Sequence, residues 1–248
     1  MSIQATSDSH LSPIEVGYIR PRLGRGSQSR LWPRLRSAAM AMGFASLCLL
    51  PVGAWWIASL GPAPLGEGLS YSTLVVDRDG HLLRPYTTPE GRWRLAATPA
   101  DVDPRFLNML FAYEDKRFLT HHGVDVLSLA RAFAQFLLNG RPISGGSTLT
   151  MQVARLLEPR ERTLLAKLRQ IVRAVELERK LSKDEILALY FSLAPYGGNL
   201  EGIRAASLAY FGHEPRRLTL AESALLVALP QAPEHRRPDR SVAAARRA

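Results

Sequence analysis

Cysteine is almost missing. Cys48 is the single one in 248 residues, so no intrachain disulfide can close and no thiolate metal site can form. The six histidines never fall into an H-E-x-x-H or related spacing, which removes the zinc-hydrolase pattern. No G-x-S-x-G elbow occurs, and the S-x-x-K, S-D-N and K-T-G set of acyl-transferring serine enzymes is absent. No Gly-Lys-Ser/Thr follows the glycine-rich stretch, so there is no P-loop. Acidic residues are also scarce: 22 Asp and Glu against 32 Lys and Arg leave a formal charge of +10. That surplus suits nucleic acid, an anionic membrane surface or an anionic substrate. Repeats and low-complexity blocks are absent, and 46% apolar residues supply a core for one mid-sized domain.

Charge disappears altogether between Arg36 and Glu67. The apolar part of this gap, residues 37–61, is long enough for a bilayer-crossing helix, which needs about 20 residues. Trp55 and Trp56 suit an interfacial aromatic belt, and six arginines between Arg20 and Arg36 precede the run. The positive-inside rule then keeps residues 1–36 in the cytoplasm and exports the rest, which sets nucleic acid aside as a partner. The run exceeds the ~7–15-residue core of a cleaved signal peptide, so an uncleaved anchor is expected.

Beyond a short linker, STLVVDRDGHLLRPYTT (72–88) reads as two strands around Asp79-Gly80, with RWRLAA (92–97) as a further strand of the same small element. The remainder reads as helical. Asp103-Pro104 opens a helix to about Thr120, and Asp125 caps one that ends at Asn139-Gly140. PISGGS (142–147) leads into a helix from about Thr148, and residues 162–181 form a long amphipathic helix. Ser182 with Glu185 and Thr219 with Glu222 are capping boxes. Pro195 and Gly197-Gly198 break the pattern as a turn between helices. Pro230 stops the last helix, and the basic tail after it is expected to be loose.

The stretch FAYEDKRFLTHHGV (111–124) carries the chemistry. On a continuous helix at 100° per residue, Leu107, Leu110, Phe111, Phe118 and His121 fall within about 60° of Glu114. Glu114 then lies on the inward face, where a carboxyl can be tuned to move protons near neutral pH. A buried Glu paired with Arg117 is the plain structural alternative. In SGGSTLTMQVAR (144–155), two glycines feed a helix start whose free N–H groups and dipole favour an anion. Arg155, Lys167 and Arg169 can converge on it; the plain alternative is an ordinary helix start.

Taken together, these stretches resemble glycosyltransferase family 51, the peptidoglycan glycosyltransferase domain of class A penicillin-binding proteins. The family's E-D-x-x-F-x-x-H-x-G is met by Glu114, Asp115, Phe118, His121 and Gly123, and G-G-S-T-x-T-x-Q by Gly145, Gly146, Ser147, Thr148, Thr150 and Gln152. A later Y-x-G and G-I-x-A-A-x-x-x-Y-F-G are met by Tyr196 and Gly198, then by Gly202, Ile203, Ala205, Ala206, Tyr210, Phe211 and Gly212. GGSTLTMQVARLLEPR, LAPYGGN and LPQAPEHRRPDR look most like the 1C branch. The resemblance implies a mainly α, lysozyme-like fold with a small β-hairpin element behind one N-terminal transmembrane helix. It implies polymerisation of lipid II into glycan strands with release of undecaprenyl diphosphate. Glu114 would be the base, supported by Asp115, with Ser147, Thr148, Gln152, Arg155, Lys167 and Gln170 at the substrate.

Two departures stand out. The family's R-K-x-x-E is Ala166-Lys167-Leu168-Arg169-Gln170 here, so an amide stands where others carry a carboxylate. That leaves a divalent cation (Mg2+ or Mn2+) open as cofactor, and no metal ligand is assigned. The chain also stops at SVAAARRA, where class A proteins continue into a transpeptidase domain. The expected layout is a cytoplasmic tail (1–36), a transmembrane helix (37–61), a linker and β element (62–97), the glycosyltransferase domain (98–240) and a basic tail (241–248). The protein would sit in the bacterial inner membrane with its catalytic domain in the periplasm. There it would meet lipid II, the growing glycan, membrane lipid and a separate transpeptidase. A silent scaffold that binds lipid II, and a lysozyme-like hydrolase, are the competing readings.

Overall fold

The computed structural model describes residues 49–79, 82–140, 146–161 and 163–246, together with Arg36, Met40 and Leu47. Residues up to Ser59 form one unit and Leu60 onward a second. In the first, residues 49–59 are helical, with Leu49, Leu50, Val52, Trp55 and Ile57 exposed. Among the described residues no helix is long and apolar enough to cross a membrane. Residues 37–39, 41–46 and 48 of the expected span lie outside them, as does almost all of the 1–36 tail.

The second unit is mainly helical. Its helices are α1 (Pro104–Glu114), α2 (Val126–Asn139), α3 (Leu149–Leu157), α4 (Leu164–Lys180), α5 (Lys183–Leu193), α6 (Ile203–Phe211), α7 (Leu220–Ala228) and α8 (Val242–Arg246). Local chemistry sets most starts. Asp103 caps α1 through Arg105 N, Thr148 caps α3 through Met151 N, and Thr163 caps α4 through Ala166 N. Both expected capping boxes form, at Ser182–Glu185 and Thr219–Glu222. The core gathers Phe106 and Leu110 of α1, Leu149 and Val153 of α3, Leu177 of α4 and Phe191 of α5, all fully buried. Phe106 and Phe191 meet edge to face at 6.1 Å between ring centroids.

Helix α1 ends at Glu114, six residues short of the expected Thr120. Asp115 leaves the helical region (φ −157°, ψ 81°) because its carboxylate is drawn to the start of α3. Phe118 still points inward, stacked on Phe111 at 5.5 Å.

The β structure also differs from expectation. Strands β1 (Leu74–Val76) and β2 (Leu82–Pro85) form the expected antiparallel hairpin. The next strand, β3 (Trp93–Arg94), does not extend it. It joins β4 (Pro195–Gly197) and β5 (Leu200–Glu201) in a separate sheet of order β3-β5-β4. The nearly buried Arg94 donates through Nε and Nη2 (2.9 and 2.6 Å) to one oxygen of Glu201, Oε2, and holds β3 there. The expected turn after Pro195 is thus a small hairpin.

The described segment after Pro230 packs on the fold and adds the short helix α8, contrary to the expected loose tail and to the expectation that the helix before Pro230 is the last. Arg237 lies across Gly197 and Gly198, where a Cβ on Gly197 would come within 2.7 Å of its side chain. It pairs with Asp239 at 2.6 Å, while Glu234 accepts from Gly198 N at 2.6 Å. The glycine pair and the basic segment therefore form one feature.

Gly123 is a second place where only glycine fits. Its φ is +89°, and a Cβ would stand 2.5 Å from the backbone oxygen of Ala174. Gly123→Ala is expected to lower unfolding free energy by about 2 kcal/mol or more, through left-handed strain plus the backbone clash. Urea denaturation followed by circular dichroism measures it; an unchanged midpoint would contradict the close approach.

Candidate active site

The Glu114-Asp115 pair sits where α1 stops, and its two carboxylates face different tasks. Asp115 is buried. Its Oδ2 accepts from Leu149 N (3.0 Å) and from His121 Nε2 (2.8 Å), joining α1, the following loop and the first turn of α3. The acceptor role of the carboxylate fixes the His121 proton on Nε2. Glu114 is half-buried and more accessible than an inward position on a continuous helix implied. Its Oε2 accepts from Gln152 Nε2 (2.8 Å) and its Oε1 from Gln231 Nε2 (2.9 Å). Arg117, the alternative partner for Glu114, is bound to Asp125 instead.

The glycine-rich helix start lies directly beside this pair, although residues 141–145, Gly145 included, fall outside the described residues. A cavity of about 480 Å3 is lined by Glu114 and Asp115 and reaches Ser147, Thr148 and Arg131. Ser147 Oγ accepts from Lys167 Nζ, tying the start of α3 to the first turn of α4. Burial, and then the charge of Arg155, push the Lys167 ammonium below the ordinary lysine value. Arg155 is exposed, and among the described residues no carboxylate pairs with it or with Lys167. Two neighbouring cations without a counter-ion make a site for an anion.

Other expected site residues stand differently. The Thr148 hydroxyl is spent internally, donating to Gly123 O at 2.6 Å and accepting from Met151 N, so it clamps the loop to the helix. Arg169 does not join the cation pair, because it binds Glu158 bidentately at 2.9 and 3.0 Å. Gln170 is half-buried, and among the described residues no hydrogen bond holds its amide. No group of three metal-ligating side chains comes together among the described residues. With an amide at position 170, the donor set offers a divalent cation no carboxylate there. The G-I-x-A-A run serves packing: Ile203, Ala205 and Ala206 are fully buried.

Several contributors escaped the sequence reading. Gln231 approaches Glu114 from the turn after α7, 117 residues away. Glu178 accepts from Thr150 (2.7 Å) and Lys183 (2.6 Å), and Lys183 also donates to His121 O at 2.7 Å. Tyr190 is fully buried, with Glu114 and Arg155 both within electrostatic reach of its hydroxyl.

The transglycosylase family model matches residues 79–248. The chain belongs to that family. It is 51% identical over 192 residues to penicillin-binding protein 1C of Escherichia coli, covering 77% of this chain and 25% of that protein. It is 44% identical over 168 residues to penicillin-binding protein 1A of Pseudomonas aeruginosa, covering 66% and 20%. Penicillin-binding protein 1F of Bacillus subtilis is 37% identical over 167 residues, covering 66% and 23%. The chain thus spans about a quarter of the length of the curated relatives it matches.

Glu158 locks the C-terminal end of α3 to α4. It caps α3 and receives Arg169 and the buried Arg173, which also donates to the Leu60 and Gly61 carbonyls. The Arg169 bond, then Arg173, hold its carboxyl at about 2, well below the ordinary 4.5. The depressed value means the contribution to stability is complete above about pH 4.5 and is lost as pH falls towards 2. Glu158→Gln is expected to destabilise the fold by roughly 2–3 kcal/mol at pH 7. The gap from wild type should close on acidification through that window, as read by denaturation at a series of pH values.

Proposed function

We propose that this transglycosylase-family chain is a peptidoglycan glycosyltransferase that polymerises lipid II into glycan strands and releases undecaprenyl diphosphate. One observation carries the reading. A half-buried carboxylate oriented by two neutral amides lines a cavity that also reaches Ser147, whose hydroxyl accepts from Lys167, with Arg155 close to that lysine.

In this reading Glu114 takes the proton from the acceptor sugar's 4-hydroxyl as its oxygen attacks the donor's anomeric carbon. The bond to the diphosphate breaks on the opposite face, so configuration inverts without a covalent intermediate. The departing diphosphate gains charge, and Lys167, Arg155 and the Ser147 hydroxyl stabilise it. Gln152 touches both halves of the site, through its bond to Glu114 and its seat on α3. Asp115 fixes Glu114 without entering the chemistry.

The exposed apolar side chains of residues 49–59, behind an arginine-rich start, support an anchor in the inner membrane. The catalytic part, residues 98–240 of the proposed layout, would then face the periplasm. There it would work against membrane lipid and hand its glycan to a separate transpeptidase. Gln170, an amide where the family motif has a carboxylate, favours one second reading: a scaffold that binds lipid II with little turnover.

Purified chain and lipid II in detergent separate the two. Glu114→Gln is expected to reduce polymerisation by about 10^2- to 10^4-fold, the usual worth of a positioned general base. Wild type no faster than Glu114→Gln would support the scaffold. In the same assay Lys167→Met is expected to lower turnover by roughly 10^2-fold through the lost charge on the leaving group. Unchanged turnover would remove Lys167 from the diphosphate site.

A further inference from the structure

Glu114 is held from a direction that neither glycine-rich motif supplies. The short 3-10 turn Leu229–Gln231 follows α7, with Pro230 inside it. From this turn Gln231 Nε2 donates to Glu114 Oε1 at 2.9 Å. The other end of the same amide is held as well. Gln231 Oε1 accepts from Tyr113 OH at 3.1 Å and from Arg236 Nη1 at 3.3 Å, and that guanidinium nitrogen also donates to Ala228 O at 2.7 Å. With its oxygen bound to two donors, the amide has one way round, and its N–H must point at Glu114.

We infer that Gln231 is a positioning residue for the proposed base: with Tyr113 and Arg236 behind it, it fixes the rotation of the Glu114 carboxylate and keeps it an acceptor. This rests on the reading of Glu114 as general base. Gln152 grips Oε2 alone, and a carboxylate held at one oxygen can still swing about that contact. The second grip at Oε1 stops the swing and leaves one lone pair on each oxygen for an incoming hydroxyl.

The charged and titratable groups around Glu114 come from several elements. They are Asp115 and Lys116 on its own segment, Tyr113 on α1, Arg155 on α3, Tyr190 on α5 and Arg236 after α7, with Arg131 of α2 on the same cavity. None of these gives Glu114 a direct hydrogen bond; among the described residues both of its bonds come from neutral amides. An N–H donor favours the ionised form of the carboxyl it binds, so removing one shifts its protonation to higher pH.

Full-length protein in detergent with purified lipid II is the test, using Gln231→Met, Gln231→Glu and Tyr113→Phe. Gln231→Met keeps the side-chain length and is expected to lower kcat about 10-fold with KM within about 2-fold, in the range of a lost hydrogen bond to a charged group. The acidic limb of its pH–rate profile should move to higher pH. Gln231→Glu adds a like charge beside Glu114 and should move that limb further. Tyr113→Phe leaves the Gln231–Glu114 bond in place and should give a smaller shift in the same direction. An acidic limb that stays at its wild-type pH in both Gln231 variants overturns the inference. So does a loss of kcat in Gln231→Met that tracks only a lower melting temperature.

Carbon-13 titration of the Glu114 carboxyl in wild type and Gln231→Met decides the matter even without turnover. A curve moved to higher pH supports the positioning role, and coincident curves reject it. If Glu114→Gln polymerises like wild type, the general-base reading fails while this titration still reports on Gln231.

Discussion

The Asp115 carboxylate accepts from the first free N–H of α3 and from His121 at once, and both bonds are buried. A buried carboxylate without such donors would cost several kcal/mol, so the chain satisfies it by bringing α3 to the end of α1. That contact ends α1 at Glu114. It sets Glu114 against Gln152 one turn further along α3, and it closes the loop that Gly123 and Thr148 clamp. Moving any of these parts separates the carboxylate pair from the helix start.

Around this joint, the pairing of other charges decides which cations stay free. Arg117 is matched by Asp125, whose carboxyl is held at about 2 by Ser128 and Arg117 against its own burial. Arg169 and Arg173 are matched by Glu158, and Lys183 by Glu178. Arg155 and Lys167 are left near each other, and among the described residues the lysine ammonium donates to the Ser147 hydroxyl and to no carboxylate. The surplus of +10 is therefore not a uniform coat. At this site the neighbouring arginines are neutralised and two cations are left together, which suits the diphosphate leaving group of the proposed reaction.

Features that depend on neighbours a few residues apart were legible in the sequence. The capping boxes, the Asp103-Pro104 start and the β1–β2 hairpin all stand where local chemistry put them. Glu114 and the start of α3 were legible as candidates because carboxylates and glycines are conspicuous residue types. What failed was long-range. The end of α1 is set by a bond spanning 34 residues, and the partner of β3 by one spanning 107. Arg237 filling the space over Gly197 and Gly198 turned an expected loose tail into part of the fold. Arg169 looked available on the helix pattern, but only the folded chain shows that Glu158 holds it.

The nature of the groups on Glu114 bears on its chemistry more than its depth does. An arginine at hydrogen-bond distance would make a strong ion pair, as Glu158 shows, and would compete for the electron pair that receives a proton in the proposed role. Asp115 has buried donors on it and is fixed as structure. Glu114 instead meets two amides, which orient the carboxylate by hydrogen bonding without adding a formal charge. The same reasoning gives meaning to its partial exposure. A fully enclosed carboxylate could not be reached by a sugar hydroxyl, and a free one would sample many rotations, most of them unproductive. Two neutral donors, one on α3 at one oxygen and one beyond α7 at the other, leave the group accessible and directed, which is the combination the proposed general-base role requires.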